Sequence, residues 1–196
     1  NPFFVPYNTP HDTVPFERIR LEDYEPAFME GIRRDDEATD KVVNDPAEPT
    51  FENTIARVDP DKGEHYYDLL SRVSNVFSCM MSAETCDEME EIAQKMSPIL
   101  TKHANDITLN KKLFERIKYV YDNEYKKLKG EDKRLTEVIY KSFVRSGALL
   151  SAEKMERMKQ INSRISELQQ EWGNLLPAAT NNAVVWVNSK EELAGL

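Results

Sequence analysis

The sequence predicts a mainly α protein, an antiparallel multi-helix bundle ending in a short C-terminal strand. Three observations carry that expectation. Apolar residues recur in steps of three and four, most clearly at Met155, Met158, Ile161, Ile165, Leu168, Trp172 and Leu175, which sets them on one helical stripe. Of 196 residues, 31% are charged, 40% are hydrophobic and only 6 are Gly. That mix suits a helical domain with a sizeable core and disfavours a sandwich or a disordered chain. Pro and Gly punctuate the periodic runs, with capping residues beside them.

Residues 1–20 hold Pro2, Pro6, Pro10 and Pro15 and read as an extended Pro-rich arm, tacked down by Phe3, Phe4, Phe16 and Ile19. A helical domain is expected over 21–176. Its first helix starts within 21–25 with Pro26 in the first turn. Tyr24, Phe28, Ile32, Thr39, Val42 and Val43 form the inner face, and Asp45, Pro46 and Pro49 end it. The second helix opens at Thr50, whose hydroxyl caps, with Glu52 near the positive end of the dipole and Phe51, Ile55 and Val58 inward. Asp59, Pro60 and Gly63 predict a break. A helix then carries Tyr66, Leu69, Leu70, Val73, Val76, Phe77 and Met80 to about Met81.

Thr85, Cys86, Asp87 and Glu88 form a capping box opening the next helix, with Met89, Ile92, Met96, Ile99 and Leu100 inward and a bend expected at Pro98. Asn110 caps a helix bearing Leu113, Phe114, Ile117, Val120, Tyr121 and Leu128, and Gly130 is expected to end it. Leu135, Val138, Ile139 and Phe143 mark another, with Gly147 as its C-cap. The long helix follows, capped by Ser151 and stopped by Pro177. A narrow apolar seam on a helix of that length needs partners to cover it. Beyond it, 177–196 hold the β-branched run 183–187, read as a strand, and a second capping box at Ser189, Lys190, Glu191 and Glu192. A lone strand needs a neighbour, so this segment reads as the start of something larger.

Catalytic machinery is hard to find. The net charge of −9 disfavours nucleic-acid binding, and the densest basic run, 126–134, contains Glu131 and Asp132. No apolar run reaches the length of a membrane span, and no signal peptide is visible. The opening residue is Asn1 rather than Met, as expected of a processed or trimmed chain. Cys79 and Cys86 flank an expected helix–helix turn; they read as two small half-buried thiols, their pairing open. His11, His65 and His103 are far apart, and no H-E-x-x-H, G-x-S-x-G or Gly-rich phosphate loop occurs. Glu84, Asp87, Glu88, Glu90 and Glu91 crowd one helix start, as solvated faces do. Accordingly no catalytic, cofactor-binding or metal residue is assigned.

The wording of several segments goes further than their periodicity. The run Pro49, Thr50, Phe51, Glu52, Asn53, Thr54, Ile55, the run Phe143, Val144, Arg145, Ser146, Gly147, Ala148, and the terminal Glu192, Leu193, Ala194, Gly195, Leu196 resemble the N-terminal region of the thimet oligopeptidase family of zinc metallopeptidases. The resemblance is to its dipeptidyl carboxypeptidase (peptidyl-dipeptidase) and oligopeptidase A branch. Asn1–Pro2, Thr9–Pro10, Pro15–Phe16, Tyr24, Pro26, Ala27, Phe28, Asn110, Leu113, Phe114 and Arg116 fit the same pattern, as do Asn174, Leu175, Leu176, Thr180 and Asn181. The resemblance spans essentially the whole chain in order.

It implies a neurolysin- and thimet-like helical domain that roofs a deep channel, with short peptides as substrates of the parent protein. It also implies a C-terminal catalytic domain holding zinc through H-E-x-x-H and a further Glu. None of those ligands lies in these 196 residues, so the chain is expected to be inactive alone and 177–196 to begin the crossing toward that domain. Residues 59–63 depart from the family by about four extra residues, roughly one helical turn. Glu52 and Arg145, opposite charges inside the two best-matched runs, either shape the channel wall or fix helix ends. The rival reading is a non-enzymatic helical module that binds peptides or a partner protein. A monomer is expected over a coiled-coil dimer on the long seam, because Pro and Gly breaks favour intramolecular packing. The resemblance points to the cytoplasm, with an exported or periplasmic form as the alternative.

Overall fold

A computed structural model describes residues 1–58, 69–184, 186, 187 and 189. Among them the chain forms α1 (Leu21–Val43), a π-helical turn (Phe51–Ile55) running into α2 (Ala56–Val58), α3 (Leu69–Ala83), α4 (Asp87–Thr108), α5 (Lys111–Asn123), α6 (Gly130–Ser146) and α7 (Ala152–Asn182). Three short 3₁₀ turns, at Pro2–Phe4, Pro10–Asp12 and Phe16–Arg18, precede α1. The molecule is thus mainly helical.

Two apolar cores share α1. Its N-terminal half gives Tyr24, Ala27 and Phe28 to one, joined by Leu69, Val73, Val76 and Phe77 of α3, Met89 and Met96 of α4, and Phe3 from the arm. Its C-terminal end gives Val42 to the other, with Phe51, Ile55, Leu113, Phe114, Ile117, Val120 and Phe143. The α1–α3 approach is close because Gly31 has no Cβ. One added there would sit 2.8 Å from the Cα of Leu70 and 2.9 Å from its amide nitrogen. Ala gains up to about 1 kcal/mol in helix propensity over Gly, while overpacking costs about 1–3 kcal/mol. Gly31→Ala is therefore expected to lower the urea midpoint; a rise would show that α3 yields freely.

Local signals place most helix ends. Thr50 Oγ1 accepts from the Asn53 amide at 3.2 Å, Asn110 Oδ1 from the Leu113 amide at 3.1 Å, and Ser151 Oγ from the Lys154 amide at 3.5 Å. Gly147 closes α6 at φ +105°, with its amide on the Val144 carbonyl and the Ala148 amide on that of Phe143, the paired bonds of a Schellman ending. In the arm, Phe3 is fully buried, whereas Phe4 and Phe16 are exposed and pin nothing.

Several expectations are corrected. Pro26 lies in the second turn of α1, not the first. The capping box at Thr85 does not form: Cys86 is the N-cap without a side-chain bond, and the Thr85 hydroxyl turns back to Met81 Sδ at 3.6 Å. Gly130 does not end α5, which stops at Asn123; it opens α6 at φ +55°. Pro177 does not stop α7, which continues to Asn182. Proline removes the donor that the carbonyl four residues back would take and crowds it. Here that residue is the exposed Gly173, so solvent can replace the lost bond.

The C-terminal strand expected over 183–187 is not found among the described residues: Ala183, Val184, Trp186 and Val187 have no regular structure, and no strand supplies a pairing edge. Val185 lies outside them, as do Lys190, Glu191 and Glu192 of the second capping box, the break at 59–63, and Tyr66.

Candidate functional site

The most specific run, Pro49 to Ile55, folds as a knot of hydrogen bonds around one amide. Asn53 Oδ1 accepts from the Thr50 amide at 2.8 Å, the Thr54 hydroxyl at 2.9 Å and Arg116 Nη2 at 3.3 Å, while its Nδ2 donates to the Glu48 carbonyl at 3.0 Å. Arg116, almost fully buried on α5, also donates through Nη1 to the carbonyls of Asp45 at 2.8 Å and Ala47 at 3.2 Å. The Asp45 carboxylate stands 3.8 Å from Nη2. The Phe51 amide donates to Glu124 Oε2 at 2.9 Å, and Phe51, Thr54 and Ile55 are buried. Such an arrangement fixes the path of the chain from α1 into the π-helical turn.

Among the described residues the histidines make no metal site. His103 on α4 is buried, with Nε2 2.8 Å from Asp35 and Nδ1 3.0 Å from Asp36 of α1. Each ring nitrogen thus faces a carboxylate of α1. His11 is exposed, and His65 lies outside the described residues. Among the described residues no group of three or more His, Cys, Asp or Glu could hold a metal ion. Zinc therefore does not fit these residues, and no chemical step is assigned through it here. Cys79 and Cys86 are free thiols, Cys79 exposed rather than half-buried.

Surface grooves carry both acidic and basic side chains. One of about 600 Å³ runs between α1 and α4, with Glu22, Glu25, Glu88, Glu91 and Lys95 over Pro26, Met29 and Ile92. Lys95 reaches Glu25 at 2.5 Å. The Glu88 carboxyl is lowered by a backbone hydrogen bond at the start of α4 and by the Cys86 thiol. That is opposite to the upward shift a general acid needs near neutrality. On α1, hydrogen bonds from Arg33 and Arg34 hold the Glu30 carboxyl down to about 2. Arg145 lines a shallower basic groove on α6 with Arg134, Lys141 and Ser142.

Across its whole length the chain is 34% identical, over 197 residues, to dipeptidyl carboxypeptidase of Salmonella typhimurium and, by the same measure, to that of Escherichia coli. It is 27% identical over 200 residues to oligopeptidase A of Escherichia coli. The chain matches an N-terminal region of thimet-family peptidases. It spans 28% of the length of these curated relatives. No protein-family model matches it.

Glu52 and Arg145 are not brought together. Both are exposed, Glu52 in the first turn of its helix and Arg145 in the last turn of α6, each at the end its charge favours. Sequence reasoning missed two polar clusters. His103 follows Ile99 and Leu100 by four and three residues and Met96 by seven, so helical spacing already set it on the core face of α4. A polar seam between α4 and α7 joins Asn105 to Asn162 at 2.6 Å and Ser166 to both Ser97 and Thr101 at 2.8 Å. Lys159 adds 3.1 Å to Asp106. Burial opposes ionisation of Asp106, yet hydrogen bonds from Lys102 and Lys159 leave its carboxyl below the ordinary value. The uncharged steps Ser97–Thr101 and Asn162–Ser166, each four apart, were the available signal. No helix among the described residues is long and apolar enough to cross a membrane.

Proposed function

We propose that this chain is the N-terminal, channel-roofing part of a zinc metallopeptidase that cleaves short peptides, releasing dipeptides from their C-termini. The observation that carries the reading is the match over the whole chain to two dipeptidyl carboxypeptidases at 34% identity. In this reading zinc, the general base and the reacting peptide bond belong to a C-terminal catalytic domain of the same protein, in keeping with the lack of H-E-x-x-H in these 196 residues. This region then contributes wall and access restriction, not chemistry. Its division into an arm (1–20), a helical domain (21–176) and a crossing (177–196) belongs to the same proposal, as does a cytoplasmic location.

The test compares the purified 196-residue chain with the full-length protein on blocked and free short peptides. The expected result is no hydrolysis by the chain. The full-length protein should release C-terminal dipeptides, lose that activity on chelation, and regain it with zinc. Cleavage by the chain alone would overturn the inactive-roof reading. Internal cleavage without dipeptide release by the full-length protein would favour the oligopeptidase A kind of activity.

A further inference from the structure

The expected stripe on α7 exists, but the described helices leave most of it uncovered. Met155 at its start is 6% exposed; Ile161, Ile165 and Leu168 are each more than a third exposed, and Trp172 and Leu175 reach 67% and 64%. Instead α7 lies on α4 through the polar seam of Asn162 and Ser166. The open residues from Met158 to Leu175 are spaced 3, 4, 3, 4 and 3 apart, a heptad seam about 25 Å long at 1.5 Å per residue. An apolar band of that regularity is matched in shape by another helix, and exposed bands of this kind mark interaction surfaces.

We infer that the α7 seam is the docking face for an apolar-sided helix of the polypeptide that follows this region in the parent peptidase. The inference rests on the reading of the chain as part of a longer enzyme and assigns that enzyme's remainder a place to pack. Two observations select this occupant. The matched region is the N-terminal 28% of the relatives, so most of their polypeptide lies on the C-terminal side of α7. Exposure also rises along the helix in that direction, from buried Met155 to open Trp172 and Leu175, so the bare surface lies nearest the departing chain. The flanking charges need no outside partner: Arg164 pairs with Glu167 at 2.9 Å and Glu171 at 3.7 Å along the same helix.

Hydroxyl-radical footprinting of Trp172, Leu168 and Ile165, read by mass spectrometry, tests this in the 196-residue chain and the full-length protein. The expected result is a several-fold fall in oxidation at all three in the full-length protein, with strong, concentration-independent oxidation in the 196-residue chain. Equal oxidation in both overturns the inference. So does protection that appears only as the concentration of the short chain is raised, which would make a second copy the occupant. Leu168→Glu supplies an independent readout. It should leave helicity and the thermal midpoint of the short chain unchanged while lowering the midpoint of the full-length protein; no change in the latter counts against docking. Peptidase activity measured on the same full-length sample separates the two readings. Protection without activity keeps the docking face and removes the peptidase assignment; activity with an unprotected seam does the reverse.

Discussion

Arg116→Ala is expected to lower the unfolding free energy of the chain by about 3 kcal/mol, a large part of the 5–15 kcal/mol typical of a domain. The guanidinium is buried where α5 meets the loop between α1 and the π-helical turn, and it satisfies the carbonyls of Asp45 and Ala47 and the side-chain oxygen of Asn53. Truncation takes the guanidinium from the carbonyls of Asp45 and Ala47, while Asn53 keeps the Thr50 and Thr54 donors, and leaves the Asp45 carboxylate, 3.8 Å away, without its countercharge. Arg116→Lys keeps the charge but not the planar fork, so it should recover less than half of the loss. Urea midpoints of the three proteins decide it, with amide exchange over 44–50 rising in step. An Ala variant within about 0.5 kcal/mol of the parent, the usual range for a neutral surface change, would show that water replaces the fork.

That prediction concerns the run that carried the family resemblance, and the coincidence has a physical basis. Thr50 was legible as a cap because a hydroxyl before Phe51 and Ile55 is a local signal, and it does accept from Asn53. The convergence on Asn53 was not legible, since Arg116 and Glu48 are brought to it by tertiary packing. The same limit governs α7. Periodicity found its stripe correctly, but a period says which residues share a face and not which face meets the fold. The polar edge of α7 won the contact with α4 because Asn105, Ser97 and Thr101 offered hydrogen bonds there, leaving the apolar edge open. Pro177 misled in another way: the bond it removes falls on the exposed Gly173, where solvent can replace it, and α7 runs on to Asn182. As for chemistry, motif search left no residue to assign. The buried histidine of α4, His103, sits between Asp35 and Asp36 of α1, a tertiary pairing that no local motif announces.

Phe77→Ala is expected to cost about 3–5 kcal/mol, the range for removing a buried aromatic ring. Phe77 joins α3 to both aromatic residues of α1, with its ring edge-on to Tyr24 at 5.0 Å and to Phe28 at 5.5 Å, and Tyr24 in turn meets Phe3 of the arm at 5.5 Å. Losing the ring removes apolar burial and two edge-to-face contacts of about 0.5–1.5 kcal/mol each. Collapse into the space is limited, because Gly31 already holds α1 against the backbone of α3 at Leu70. Phe77→Leu, which keeps most of the volume but no ring, should cost about half as much, and the difference between the two variants isolates the cavity. The second core, around Ile117 and Phe143, shares α1 and the C-terminal end of α4 at Ile107 with this one but nothing of α3, so exchange protection there should fall less than in α3. Equal loss of protection in both cores would make the bundle a single cooperative unit and α1 the strut that transmits the damage.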